Sequence, residues 1–286
     1  MTIVYIKTIK KTNLFCRIFN KFTIEDHENK KIICLPLNEK SRTRKTERML
    51  NKLCKYLYEN NLTSCVLDKQ LMNNEIAKNL LYSNNINILD GERLNKFLVY
   101  NLIEKIYSLK NKKIETGEIT LLINENDELN IKNIKRIAEK IKRLNIVTIN
   151  MKQFNRIVDD LYEELGILIK LTNNIKTSLK NSDIIVNLDF PEELINKLAI
   201  PNSAIILNIP RNININSKKF SGINIKSWEI EIPEQYKLED FPDISMYEAQ
   251  IYLKPTIQAF KQIQGDKIKI KNFIGCNGAI NSKEFM

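Results

Sequence analysis

Apolar residues from residue 117 onward recur in short β-rich runs, at 119–123, 146–149, 167–171, 184–188 and 204–209. Between the first three runs the period changes to three and four. Ile131, Ile134, Ile137, Ala138, Ile141 and Leu144 form one stripe, and Phe154, Ile157, Val158, Leu161 and Leu165 form the next. That spacing predicts amphipathic helices between strands. Gly166 is placed to end the second helix, and Pro191 suits a first helical turn in a short segment 191–198; another short helix is expected over 175–180. Five strands alternating with helices predict a parallel sheet covered on both faces, wound in both directions by right-handed crossovers.

The first half repeats the rhythm less regularly. Residues 1–30 read as a small hairpin, "KKIICLPLN" as a strand, and "SRTRKTERMLNKLCKYLYENN" as a helix capped by Ser41, with Met49, Leu50, Leu53, Tyr56 and Leu57 on one face. "LTSCVLD" and "INILDG" are two further strands around a short helix at 73–83, and 92–110 is a long helix. After Pro210 the pattern lapses until a helix in "ISMYEAQIYLKPTIQAFKQI", kinked or broken at Pro255, and a short strand in "KIKIKNFIG". The expected organisation is an α/β domain over 1–91, a connecting helix over 92–116, a Rossmann-like doubly wound domain over 117–232, and a helical return and tail over 233–286.

The unit 118–154, "EITLLINENDELNIKNIKRIAEKIKRLNIVTINMKQF", has the order strand, turn, helix, strand of a dinucleotide-binding fold. Such a turn carries glycines where the backbone meets a pyrophosphate. Here it reads Asn124-Glu125-Asn126-Asp127-Glu128. At an effective dielectric of about 20, one carboxylate about 4 Å from a phosphate charge costs on the order of 4 kcal/mol. That is roughly a thousandfold in affinity, while a helix N-terminus returns only about 0.3–2 kcal/mol. The same acids also suit a helix start, as caps and dipole partners. Asn124 would meet any cofactor. Asn150 and Lys152 end the second strand where an acid would hold the ribose of NAD, so NADP is the better match, bound weakly or not at all.

Composition narrows the chemistry. The 286 residues suffice for two domains, with 43% hydrophobic and 28% charged residues and no apolar run long enough to span a membrane. The basic N-terminus lacks the apolar core and cleavage site of a signal peptide. Five scattered cysteines without C-x-x-C spacing argue against disulfides or a zinc cluster and fit a reducing cytoplasm. The net charge of +11 is concentrated early: residues 1–116 hold 22 Lys/Arg against 12 Asp/Glu, the remainder 23 against 22. High Lys, Asn and Ile with only seven Gly follow AT-rich codon usage and account for part of the basicity.

The single histidine, His27, lies in the polar turn "EDHENK", which removes most Ser-His-Asp and Cys-His mechanisms. Cys276, in "GCNG", has no histidine to activate it. The densest basic stretch, "KSRTRKTER" at 40–48, can neutralise phosphates of RNA or DNA or form a solvated helix start; it lacks interleaved aromatics. Asp68 and Lys69 follow one strand and Asp90 another, at strand ends where open α/β sheets hold ligands. Asn187 and Asp189, in "IIVNLDF", stand at the corresponding end in the second half.

The whole arrangement resembles the amino-acid-dehydrogenase-like Rossmann group, which includes shikimate dehydrogenases and glutamyl-tRNA reductases. "SDIIVNLDFP" resembles that group's fourth strand, "ILDGERL" the entry to its connecting helix, and "MYEAQIYLKPTIQAF" its return helix. The resemblance implies Lys-Asp proton transfer, with Lys69 and Asp90 as catalytic candidates and Asp68, Asn187 and Asp189 facing a small-molecule substrate in a cleft. The group's glycine-rich turn and substrate motifs are missing. The expectation is a dehydrogenase-related protein with a lost or remodelled cofactor site, acting as a non-catalytic sensor or scaffold or as an enzyme with an altered ligand, cytoplasmic and able to form a homodimer. The rivals are a polyanion-binding module and an NADP-dependent reductase.

Overall fold

The computed structural model describes residues 2–9, 21–27, 30–37, 41–174, 178–210, 213–234, 237–252 and 268–285. The chain divides into two compact units, Met1–Leu94 with Ile232–Lys267, and Asn95–Glu231 with Ile268–Met286. Both are α/β.

The first unit is built on a mixed five-stranded sheet in the order β2-β3-β1-β4-β5, where β1 is Ile3–Thr8, β2 Thr23–His27, β3 Lys30–Leu35, β4 Ser64–Leu67 and β5 Asn87–Ile88. β1 pairs in parallel with β3 and β4, and only β2 runs antiparallel, against β3. The hairpin is therefore β2–β3, not the one expected within residues 1–30. Alternation along β1 sorts its side chains onto two faces. Val4 and Ile6 meet Met49, Leu50, Leu53 and Leu57 of the Thr43–Glu59 helix. Ile3 and Tyr5 meet Phe241, Met246 and Ala249 of the returning chain. Each buried aliphatic side chain contributes roughly 1.5–3 kcal/mol relative to exposure. Ser41 is not the cap of that helix: Arg42 holds the N-cap position and makes no side-chain cap bond.

The larger sheet of the second unit has six strands, all parallel, in the order β11-β10-β9-β6-β7-β8. They span Glu118–Leu122 (β6), Arg143–Val147 (β7), Ile169–Thr172 (β8), Ile184–Asn187 (β9), Ile205–Asn208 (β10) and Ile223–Ile225 (β11). The chain runs outward from β6 through β7 to β8, then crosses back to β9 on the other side of β6. β11 lies in the stretch where the apolar pattern lapses. A small antiparallel sheet joins Ser227–Ile230 (β12) to Ile270–Gly275 (β13) and Gly278–Ala279 (β14).

The Glu128–Ala138 helix buries Ile134, Ile137 and Ala138 as expected but stops there, and Leu144 belongs to β7. Gly166 ends the Met151–Leu165 helix in the left-handed region, φ 66°, which glycine adopts without a Cβ penalty. Pro191 is an extended N-cap and not a first helical residue. The helix expected at 175–180 and the kink at Pro255 fall, wholly or in part, outside the described residues. Among the described residues no helix is long and apolar enough to cross a membrane.

Candidate functional site

The turn after β6 is held by its neighbours on both sides. β6 and β9 pair with Leu122 opposite Asn187, and continuing that register two residues brings Asp189 beside Asn124. The Asp189 carboxylate accepts the backbone N–H of Asn124 at 2.7 Å and of Glu125 at 2.8 Å. On the β7 side, the Asn124 side-chain oxygen accepts the Ile149 N–H at 3.0 Å, and the Asn150 amide donates to the Asn124 carbonyl at 3.0 Å. Asn124, Asn150 and Asp189 thus form one network at the point where the sheet order reverses. Lys152 is exposed.

The acids of this turn are engaged in building it. Asp127 caps the Glu128–Ala138 helix through the Asn130 N–H at 2.8 Å, and its other oxygen accepts Lys96 Nζ at 3.0 Å. Glu125 lies 3.9 Å from the same ammonium, and Glu128 pairs with Lys132 one turn on. Lys96 offsets much of the repulsion that the sequence alone implies. The Asp189 carboxylate is seated on the two backbone amides that open the turn. Burial pushes the Asp189 carboxyl upward; the two amide bonds and Lys96 pull it back, and Glu125 adds to the rise.

Asn187 is fully buried and satisfied. It accepts the Phe190 N–H at 2.8 Å and donates to the Phe190 carbonyl and to Asn208 Oδ1, each at 3.2 Å. Asn208 in turn donates to Asn224 at 2.8 Å, so a ladder of amides crosses β9, β10 and β11.

In the first unit, Asp68 is 4% exposed and caps the Lys69–Met72 helix. One oxygen accepts the Leu71 N–H at 2.7 Å, and the other takes the Thr8 N–H and hydroxyl at 2.6 and 2.7 Å. A cavity of about 690 Å³ opens beside it, lined among others by Lys7, Lys69, Gln70 and Asp240. Lys69 is exposed and its ammonium lies 3.3 Å from the Glu239 carbonyl. Asp90 is not among the residues lining that cavity; it accepts the Glu92 N–H at 2.9 Å at the start of the Glu92–Leu109 helix. The structure therefore brings Asp68 and Lys69 to one cavity and leaves Asp90 at a helix start.

Sequence reasoning missed Glu248, a lone acid within apolar "MYEAQIY". It is 2% exposed and accepts the N–H groups of Gly91 at 2.6 Å and Leu94 at 3.0 Å. Burial raises its carboxyl from the ordinary 4.5 to about 7, against the pull of those bonds. His27 is the exposed last residue of β2, and Cys276 is an exposed thiol in the β13–β14 turn. Among the described residues no group of three or more His, Cys, Asp and Glu is arranged to hold a metal.

No protein-family model and no curated protein matches the chain. Among solved structures, L-tryptophan dehydrogenase from Nostoc punctiforme is similar at 12% identity and TM-score 0.36, covering 92% of this chain and 78% of its own. Aspartate transcarbamoylase from Trypanosoma cruzi is similar at 10% identity and TM-score 0.34, covering 77% and 79%. An N-acetyl-L-ornithine transcarbamylase follows at 8% and 0.32, covering 76% and 81%. These neighbours are α/β proteins, and at such distances the likeness carries no argument about activity.

Proposed function

We propose that this chain is a Rossmann-like protein related to the NAD(P)-dependent dehydrogenases whose dinucleotide site is remodelled, and that it works as a non-catalytic ligand-binding sensor or scaffold. The observation that carries this reading is the Asp189 carboxylate on the amides of Asn124 and Glu125. Those are the donors a pyrophosphate would take at the first turn of a dinucleotide-binding sheet. The strand order β8-β7-β6-β9-β10-β11 supports the relation, because it is the 3-2-1-4-5-6 succession of such sheets. The engagement of Asp68 by three donors supports the non-catalytic part, since a carboxylate so held is a poor partner for proton transfer through Lys69. Calorimetric titration of the whole chain with NAD and with NADP is expected to give no binding heat in the micromolar range. A micromolar Kd for either would overturn the proposal and favour an NADP-dependent reductase.

A second reading, a polyanion-binding module, draws on the Thr43–Glu59 helix. It starts with exposed Arg42 and Arg44, has no acid in its first turn and no side-chain cap. Gel-shift assays against RNA and DNA across a salt series separate the two. Steep loss of binding with salt favours the polyanion reading.

A further inference from the structure

The second unit holds a cavity of about 700 Å³ at the edge where β10 and β11 begin, the opposite edge of the sheet from Asp189. Lys110, Lys112, Asn202, Ser221, Cys276 and Asn277 are among the residues lining it. We propose that this cavity is a binding site for a small phosphate-bearing molecule, with Lys110 and Lys112 as its cationic wall.

The charge balance carries the argument. Lys110 keeps only 12% of its side chain exposed, and its ion-pair partner is Asp183, 3.9 Å away. Lys112 shares that same oxygen at 4.0 Å, while the other Asp183 oxygen accepts the Glu118 N–H at 3.1 Å. Both separations exceed hydrogen-bond length, and one carboxylate facing two ammonium groups leaves a local excess of positive charge beside Asp183. An ammonium carried on a mostly buried side chain without a hydrogen-bonded counterion is unfavourable, and an added anion relieves it. Burial lowers the Lys110 pKa, with Lys112 adding to the fall and Asp183 opposing it. Glu284, the acid that lines the cavity, brings the formal sum of these four groups to zero, but it is exposed and accepts the Asn281 N–H at 2.8 Å, so solvent screens its charge and the lysine side stays locally positive.

The cavity walls also permit close approach. Three of the chain's seven glycines, Gly222, Gly275 and Gly278, line it. At Gly222 a Cβ would stand 2.5 Å from the Asn202 carbonyl oxygen, so the β10 and β11 entry loops can meet there only without a side chain. Asn202 further holds the Ser221 N–H at 3.0 Å, which fixes the two loops that present amide and hydroxyl groups to the cavity.

Cys276 supplies an internal reporter, because among the described cysteines it is exposed at this cavity while Cys34, Cys54 and Cys65 are buried. Its alkylation by neutral iodoacetamide would be followed on the Cys276 peptide by mass spectrometry, at constant ionic strength set with chloride. Inorganic phosphate is expected to slow alkylation several-fold with saturation, and Lys110→Gln and Lys112→Gln to remove that protection. Lys112, whose side chain is 55% exposed, gives the variant least able to disturb folding. No protection of the wild-type chain, or protection unchanged in both variants, overturns the site. Protection by succinate equal to that by phosphate overturns the assignment to phosphate.

Discussion

Asp189 accepts the backbone N–H of Asn124 at 2.7 Å. Two parallel strands, β6 and β9, produce this bond by pairing Leu122 with Asn187, so that the loops leaving them stay in step. The carboxylate does for the turn what a bound anion would do.

Removing that carboxylate should therefore destabilise the fold. Asp189→Ala leaves the N–H groups of Asn124 and Glu125 without their acceptor, at an expected cost of about 1–3 kcal/mol. Asp189→Asn keeps one acceptor oxygen and should cost less. Urea denaturation midpoints would measure both, and an Asp189→Ala midpoint equal to wild type would contradict the arrangement.

Much of this was legible in the sequence, and the reasons differ by element. β6, β7, β9 and β10 announce themselves because parallel strands buried on both faces need continuous apolar runs, whereas the edge strand β8 fully buries only Ile169. β11, "INI", is too short and too close to other Asn-Ile alternations to stand out. The odd turn at Asn124–Glu128 was visible, whereas its closure by Asp189 was not, since a contact 65 residues apart depends on strand register. Asp68 and Asp127 looked like candidate chemistry or caps, and both prove to be caps. Glu248 is legible only in hindsight, because one acid in an apolar helix carries no sign of the amides it will meet.

Glu248 gives a pH prediction with a definite sign. The carboxyl titrates near 4.5 when exposed and near 7 when folded. The folded state thus binds the proton more tightly. Its contribution to stability is full below about pH 4.5 and is lost as pH rises through 7, on the order of 3 kcal/mol in all. Asp90 is the charged neighbour that adds to the rise. Glu248→Gln cannot ionise, so its stability should change less than that of wild type between pH 4.5 and 7. Unfolding curves for both chains at pH 5 and pH 7.5 provide the check. Parallel pH profiles would show that Glu248 does not titrate in this window.

The Asp68–Lys69 pair should separate in mutants. Asp68→Ala removes a buried acceptor of three hydrogen bonds and is expected to cost about 2–4 kcal/mol. Lys69→Ala changes an exposed residue and should stay within about 0.5 kcal/mol. Thermal unfolding of the two variants tests this. If Asp68→Ala proves as stable as wild type, its carboxylate is free for chemistry and the Lys-Asp mechanism regains its footing.

Arg42 offers the opposite kind of experiment, one expected to stabilise. It occupies the N-cap of the Thr43–Glu59 helix with extended backbone, φ −62° and ψ 139°, and its carbonyl accepts the N–H groups of Lys45 and Thr46 at 2.8 and 3.1 Å. The backbone is already shaped for a cap, but the side chain carries the wrong charge for a helix N-terminus and cannot accept from the free amides. Arg42→Asp supplies both an acceptor and the favoured sign, so a gain of about 0.5–2 kcal/mol is expected. The same substitution tests why an arginine stands there. If the basic helix start binds RNA or DNA, Arg42→Asp should weaken that binding across sequences and lower the slope of log affinity against log salt by about one. If the arginine is only a solvated residue of a basic chain, the variant melts higher and the salt dependence is unchanged. A melting temperature no higher than wild type would mean that the aspartate does not cap the helix.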